Sequence, residues 1–365
     1  HIGHPGRVTW TSDVDSGLTD ADIVLIQLRV GGQNARISDE RFPMKCGCVG
    51  QETTGAGGLA KALRTVPVVL DIAERASRLA ANGAWIIDFT NPVGIVTRAL
   101  LDAGHRAAGL CNVAIGFQRR FASYLGVPPS SVELDHIGLN HLTWERGVYV
   151  DGVDVLPRYL ESDLAEIAAE VSMPPSLLKV QQAIPSYYLR YFYAHDEVVE
   201  SERDVPTRGE KVADIEATLL SLYADPTLDE KPDILMQRGG AYYSEAAVGL
   251  MSSLLGGPAG AHSVNVRNAG TLSFLDDSAV IEATCDVSAD GAVPRRVAPL
   301  PPDLAGLIAH VSAYEELALD AALRGGRERV YRALLAHPLV GQYTIADDLT
   351  DLLLAANTTY LAWTR

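Results

Sequence analysis

Two short segments carry the side chains best suited to chemistry: Cys111-Asn112 and Asn140-His141. A thiolate and an imidazole both ligate borderline divalent ions. Two protein ligands leave positions open for water and substrate oxygens, as a Lewis-acid site requires. The plainer account is a buried core cysteine and a packed histidine. A third segment, Arg238 to Glu245, places Tyr242 and Tyr243 at the start of an apolar helix. A phenol at a helix start beside a cation can be stabilised as phenolate and act as a base. Otherwise the two tyrosines are a packing pair.

Anion and nucleotide contacts have their own candidates. The run from Gln27 to Arg36 offers Gln27, Arg29 and Arg36 just past an apolar strand, followed by Glu52 and the glycines Gly55, Gly57 and Gly58. Open α/β sheets bind ligands at such strand ends, and Arg29 and Arg36 could hold a phosphate. The alternative is a solvated loop with turn glycines. A strand ending in Thr90-Asn91-Pro92 presents a hydroxyl and an amide where a ribose or a sugar hydroxyl would lie, although Asn-Pro is also an ordinary strand exit. Arg267, between Asn265 and Asn268, suits bidentate phosphate binding or a plain turn.

These side chains need a scaffold. Apolar runs at Ala21 to Leu28, Ala84 to Phe89 and Ala107 to Cys111 read as buried strands. Helical patterns at Gly58 to Ala81 and Ile115 to Leu125 read as crossovers, the first bent at Pro67. A further strand, Ser131 to Ile137, ends near Asn140, so Cys111 and His141 face one crevice if the third and fourth strands are neighbours. After it come a strand at Thr143 to Val150, helices at Leu156 to Val171, Glu210 to Ala224 and Ala241 to Leu255, and strands at Ser263 to Asn268 and Ala279 to Val287. The expected fold is α/β, a doubly wound parallel sheet with a mixed α+β second domain, divided as residues 1–140 and 141–365. The strand, glycine-rich turn and helix that open a nucleotide domain are not found in the chain.

Composition narrows the function. The 365 residues are 47% hydrophobic and 21% charged, ordinary for a globular protein, and hold no apolar run long enough for a bilayer. A net charge of -16 disfavours nucleic acid and anionic membranes as partners. Any anionic substrate must therefore find local arginines. Four cysteines, Cys46, Cys48, Cys111 and Cys285, make no disulfide framework. With no signal peptide, a cytoplasmic location is expected. Cys46 and Cys48 are read as packing residues.

In their order and separation these motifs resemble the family 4 glycoside hydrolases, in particular the 6-phospho-β-glucosidase branch, from Ala21 to the C-terminus. The resemblance implies a lactate/malate dehydrogenase superfold whose nucleotide domain here lacks its first strand-turn-helix. It also implies hydrolysis of a phosphorylated disaccharide or glucoside by oxidation, elimination, addition and reduction, using NAD and a divalent metal, usually Mn²⁺. Cys111 and His141 match the metal ligands and Tyr243 the base, with Tyr242 its rival. Arg267, Asn91 and Arg29 match the phosphate grip, and Asn112, Asn140 and Glu52 the sugar contacts. Gln27, Thr90 and Asn91 fall to the cofactor. Asn112 stands where the α-glucoside branch carries an aspartate, so it is grouped with the catalytic residues and the leaving-group acid has no assignment. Relatives of this kind are homodimers or homotetramers. Two other readings are an NAD-dependent hydroxy-acid or sugar-acid dehydrogenase and a non-catalytic sugar-phosphate binding protein.

Overall fold

The computed structural model describes residues 6–364 apart from 163 and 241. Its ten strands are β1 (Ile23–Ile26), β2 (Trp85–Asp88), β3 (Ala107–Gly109), β4 (Val132–Leu139), β5 (Leu142–Val150), β6 (Val153–Asp154), β7 (Ile184–Pro185), β8 (Gly260–Arg267), β9 (Val280–Ser288) and β10 (Gly291–Pro294). The helices of ten residues or more among the described residues are α1 (Gly32–Arg41), α2 (Gly55–Leu79), α3 (Val93–Asp102), α4 (Val113–Leu125), α5 (Arg208–Tyr223), α6 (Tyr243–Leu254), α7 (Pro302–Arg324), α8 (Arg327–Ala336) and α9 (Tyr343–Asn357). None is long and apolar enough to cross a membrane.

The first third folds as its periodicity dictates. β1, β2 and β3 pair in parallel, with Ile26 beside Asp88 and Asp88 beside Gly109, and α2 and α3 make the crossovers. Both helices pack on the sheet through apolar faces in one large core shared with α7, α8 and α9, while α6 covers the other face over Ile87, Ala108, Leu110 and Val264. The α/β expectation holds. Pro67 lies inside α2, which nevertheless continues to Leu79.

Beyond β3 the sheet departs from the expected layout. Its order is β1-β2-β3-β8-β9-β4-β5-β6, with β10 on β9 and β7 on β5. The third and fourth strands are therefore not neighbours, because the antiparallel hairpin β8-β9 lies between them. Gly109 faces Asn265, Asn265 faces Glu282, and Glu282 faces Gly138, so one row crosses from the parallel to the antiparallel half. The expected division after residue 140 falls in the turn between β4 and β5, and the sheet runs through it.

Two helical expectations also change. The run from Leu156 to Val171 forms two short helices, Leu156–Ser162 and Leu164–Glu170. The helix expected from Ala241 begins at Tyr243, and residue 241 lies outside the described residues. The segment read as a glycine-rich loop holds α1, whose buried side chains are Ala35, Asp39 and Glu40. With charges instead of an apolar stripe on its inner face, it gives no helical signature. Nor do Gly57 and Gly58 form a phosphate loop. They lie buried in the first turn of α2, and a Cβ on Gly57 would sit 2.3 Å from the Gln51 carbonyl oxygen and 2.5 Å from that of Asp39.

Of the two buried carboxylates of α1, Glu40 is held by Arg36 and the Gly209 N–H, and Asp39 from α2. Arg64 donates to both carboxylate oxygens of Asp39 and to the Asn357 side-chain oxygen. Burial outweighs Arg64 and pushes the Asp39 carboxyl up to about 6, so the intact pair adds little net stability. Removing one partner is the costly event, because it strands a guanidinium out of water. Asp39→Ala is expected to lower the unfolding free energy by about 3 to 5 kcal/mol in urea titration, and the double change Asp39→Leu, Arg64→Leu to recover most of that loss.

Candidate active site

A cavity of about 2030 Å³ opens where β1, β2 and β3 end, walled by residues from α1, α6 and the Tyr187–Tyr191 stretch. Cys111 lies two residues past the end of β3, buried beside Asn112, which lines the cavity. The backbone N–H groups of Asn112 and Val113, at the start of α4, and the Asn140 side-chain amide favour the Cys111 anion. A helix N-terminus aimed at a sulfur favours its thiolate. Burial and then Glu282 nevertheless push the thiol well up, so the anion needs a further positive charge.

His141 is presented by a tight turn. Leu139 and Leu142 pair, leaving Asn140 and His141 as a two-residue hairpin loop, and His141 has φ 64°, the left-handed geometry that such turns demand. Burial pushes its imidazole down to about 4 against the pull of Glu282, so the ring is neutral. Its Nδ1 is buried without a hydrogen-bond partner. A neutral imidazole with a free nitrogen and a buried thiol are donors of the kind that fit a divalent ion. Among the described residues no group of three His, Cys, Asp or Glu could hold one.

Tyr243 opens α6 and lines the cavity, its ring edge-on to Phe89 at 4.9 Å between centroids. Burial, then Cys111 and Glu282, push its phenol up. Tyr242, 42% exposed, lies over the Arg119 guanidinium. A further tyrosine meets one of the candidate ligands: Tyr188 stacks on His141 at 3.8 Å between centroids and 12° between planes. Burial and then Cys111 push its phenol up as well. Its signal lay in the run Tyr187 to Tyr193, four tyrosines in a chain with few aromatics.

The anion end is an ion cluster. Glu52 accepts from Arg29 and from Lys61 (2.7 Å), with Arg36 at 3.2 Å, and Arg36 also pairs with Glu40 at 2.8 Å. Burial would raise the Glu52 carboxyl, but Lys61, Arg36 and Arg29 hold it well below the usual range. Glu52 therefore organises cations and is not a free sugar ligand. Three cations against two carboxylates leave a local charge of 3 - 2 = +1 beside the cavity. Lys61 stood in view as a lone lysine in an apolar helical run.

Gln27, Asn91 and Asn112 line the same cavity, and the Asn91 Oδ1 is buried without a partner. Two expectations fail. Arg267 is bonded to Asp102, at the far end of α3, and to the Ser278 carbonyl. β8 runs antiparallel to β3, so each residue after Asn265 steps away from the strand ends that form the site. Thr90 is buried, its hydroxyl donating to the Ile26 carbonyl and accepting from the Leu28 N–H. It latches β1 to β2, so its hydroxyl is already engaged within the sheet.

Behind the metal pair lies a buried chain missed in the sequence. His136 Nδ1 is 2.6 Å from Glu145 and its Nε2 3.0 Å from Glu282. Burial lowers the imidazole, but Glu145 and Glu282 outweigh it and raise it to about 10. Ionisable residues inside apolar strands were the available clue.

Comparison with known proteins follows the same lines. The model described as "Family 4 glycosyl hydrolase" matches residues 1–127, and that described as "Family 4 glycosyl hydrolase C-terminal domain" matches residues 136–340. The probable 6-phospho-beta-glucosidase of Bacillus subtilis (strain 168) is 38% identical over 98% of this chain and 84% of its own length. The 6-phospho-beta-glucosidase of Escherichia coli (strain K12) is 35% identical over 93% and 79%. The solved 6-phospho-beta glucosidase of Thermotoga maritima with manganese, NAD+ and glucose-6-phosphate superposes with a TM-score of 0.88 at 31% identity, covering 96% of this chain and 84% of that one.

The ion cluster makes anion binding pH-dependent. Burial pushes the Lys61 ammonium down to about 8 against the attraction of Glu52, so its charge is present below that pH and is lost above it. Affinity for inorganic phosphate, measured calorimetrically, is expected to fall several-fold between about pH 7.5 and 9.5, beyond any titration of the ligand. In Lys61→Met the profile should be flat over that range.

Proposed function

This chain belongs to family 4 of the glycosyl hydrolases, and from that premise we propose that it hydrolyses 6-phospho-β-glucosides by oxidation, elimination, addition and reduction with NAD and a divalent metal such as Mn²⁺. The carrying observation is a buried Cys111 whose anion the start of α4 and the Asn140 amide favour, the neutral His141 with an unpartnered Nδ1, and a phenol of the cavity wall, Tyr188, stacked on that imidazole. When bound, the nicotinamide supplies a reversible hydride acceptor and the ion a Lewis acid.

The protein's own groups do the rest. Arg29, with Lys61 and Arg36 behind it, draws the sugar phosphate to the positive side of the cavity, and Asn91 adds its unpartnered amide oxygen as an acceptor for a hydroxyl of the sugar or the cofactor ribose. Gln27 lines the cofactor end and Asn112 the sugar end. Cys111 and His141 would hold the ion, which would supply a Lewis acid to the sugar. Tyr188 takes the proton from carbon 2 at its Oη: its ring lies flat on the His141 imidazole, so a cation held by that imidazole would favour its phenolate. Tyr243, edge-on to Phe89, is the second phenol of the wall.

With a chromogenic 6-phospho-β-glucoside, NAD, Mn²⁺ and a reductant, the chain is expected to release aglycone while NADH absorbance stays flat. Accumulating NADH would make it a dehydrogenase, and binding without release a sensor. Tyr188→Phe should lower turnover by about 10² to 10⁴-fold and abolish solvent deuterium exchange at carbon 2, with glucose 6-phosphate affinity little changed. Loss of exchange in Tyr243→Phe, with retention in Tyr188→Phe, would return the role to Tyr243.

A further inference from the structure

The metal pair is held in place from behind, through a single amide. The Asn140 amide donates to Glu282 Oε2 at 2.9 Å, and the same amide favours the Cys111 thiolate. Asn140 also precedes His141 in the two-residue turn. Its orientation therefore bears on one candidate ligand through the amide dipole and on the other through the backbone.

What fixes the amide is Glu282. This carboxylate is 1% exposed and accepts from three sides: Asn140 and Asn265 (3.1 Å) at Oε2, and His136 (3.0 Å) at Oε1. Asn265 and His136 are themselves buried on β8 and β4, and His136 is gripped at its other nitrogen by Glu145 of β5. Four strands thus converge on one side chain. A carboxylate out of water is costly unless its lone pairs are filled, and here they are filled by residues that hold it in one place. If Glu282 served only to knit strands, nothing would require its remaining acceptor to meet the turn that carries the metal pair.

We infer that Glu282 is a positioning residue for the divalent ion: it locks the Asn140 amide so that the Cys111 sulfur and His141 are preset for one cation before any ligand arrives. The inference rests on the proposed function, since it concerns how that site binds its ion. Outer residues that orient metal ligands typically change metal affinity 10 to 100-fold when altered. In Glu282→Gln one acceptor oxygen becomes a donor that faces the donors of Asn140, Asn265 or His136, so the lock is broken with the side-chain shape kept.

The test is Mn²⁺ binding to the full chain, followed by the EPR signal of the free ion at saturating glucose 6-phosphate. Calorimetry with glucose 6-phosphate in the absence of metal is run alongside. Glu282→Gln is expected to weaken Mn²⁺ binding at least about tenfold while metal-free glucose 6-phosphate affinity stays within about twofold. Equal losses in both would mean a merely structural carboxylate, and no loss in either would mean no role, so each overturns the inference while leaving the proposed function standing. If Glu282→Gln does not fold by circular dichroism, Glu282→Asp, which keeps the charge but draws the carboxylate back from Asn140, decides by the same criteria. An unaltered chain that binds no Mn²⁺ overturns the inference together with the function.

Discussion

Everything at this site depends on keeping ionised groups out of water in pairs. Glu52 with Lys61, Asp39 with Arg64 and Glu282 with His136 are all buried next to the strand ends that form the cavity. An unpaired charge there would cost several kcal/mol, so each member dictates where its partner's backbone must run. α1 is a helix with buried carboxylates because α2 brings Arg64 to meet Asp39, and Arg36 of α1 itself meets Glu40. The charges act as registration pins, and apolar packing around them supplies the bulk of the stability.

The same constraint explains the seam in the sheet. A purely parallel sheet would have put β4 next to β3, with an apolar row on both faces. The β8-β9 hairpin inserted between them brings Asn265 and Glu282 into the row that joins Gly109 to Gly138. Polar side chains at the centre of a sheet are tolerable only when they satisfy one another. Here they do, and in doing so they tie the end of β3, which carries Cys111, to the turn that carries His141.

That also sets what could be read from the residues alone. Strands at Ala21 to Leu28 and Ala84 to Phe89 and the long crossover helix announce themselves by apolar periodicity, and the structure places them within a few residues. Cys111, His141, Asn112, Asn91, Arg29 and Tyr243 stood out because each follows a strand or opens a helix. Arg267 looked like a phosphate ligand by composition, but the direction of β8, which no local pattern reveals, turns it away. Glu282, His136 and Lys61 were hidden for the opposite reason. Glu282 and Lys61 have apolar neighbours, and Glu282 is 146 positions from its partner His136. Tyr188 was obscured by company, one ring among four.

A net charge of -16 opposes the phosphorylated substrate proposed for this chain. The scale of electrostatics resolves this. At physiological ionic strength, exposed charges are screened over about 8 Å, so carboxylates on the outer surface contribute little inside the cavity. Buried charges act in a medium that screens less, where two unit charges at about 4 Å interact by roughly 4 kcal/mol against about 1 in water. The local excess of one positive charge from Arg29, Arg36 and Lys61 over Glu40 and Glu52 therefore outweighs the distant negative field. Glu52 has a second effect. Without it three cations would repel one another and Lys61 would lose its proton more readily; with it they are held together, and the phosphate meets a cluster that is already assembled. A negative residue at the heart of an anion site is thus what allows so many cations to be buried there.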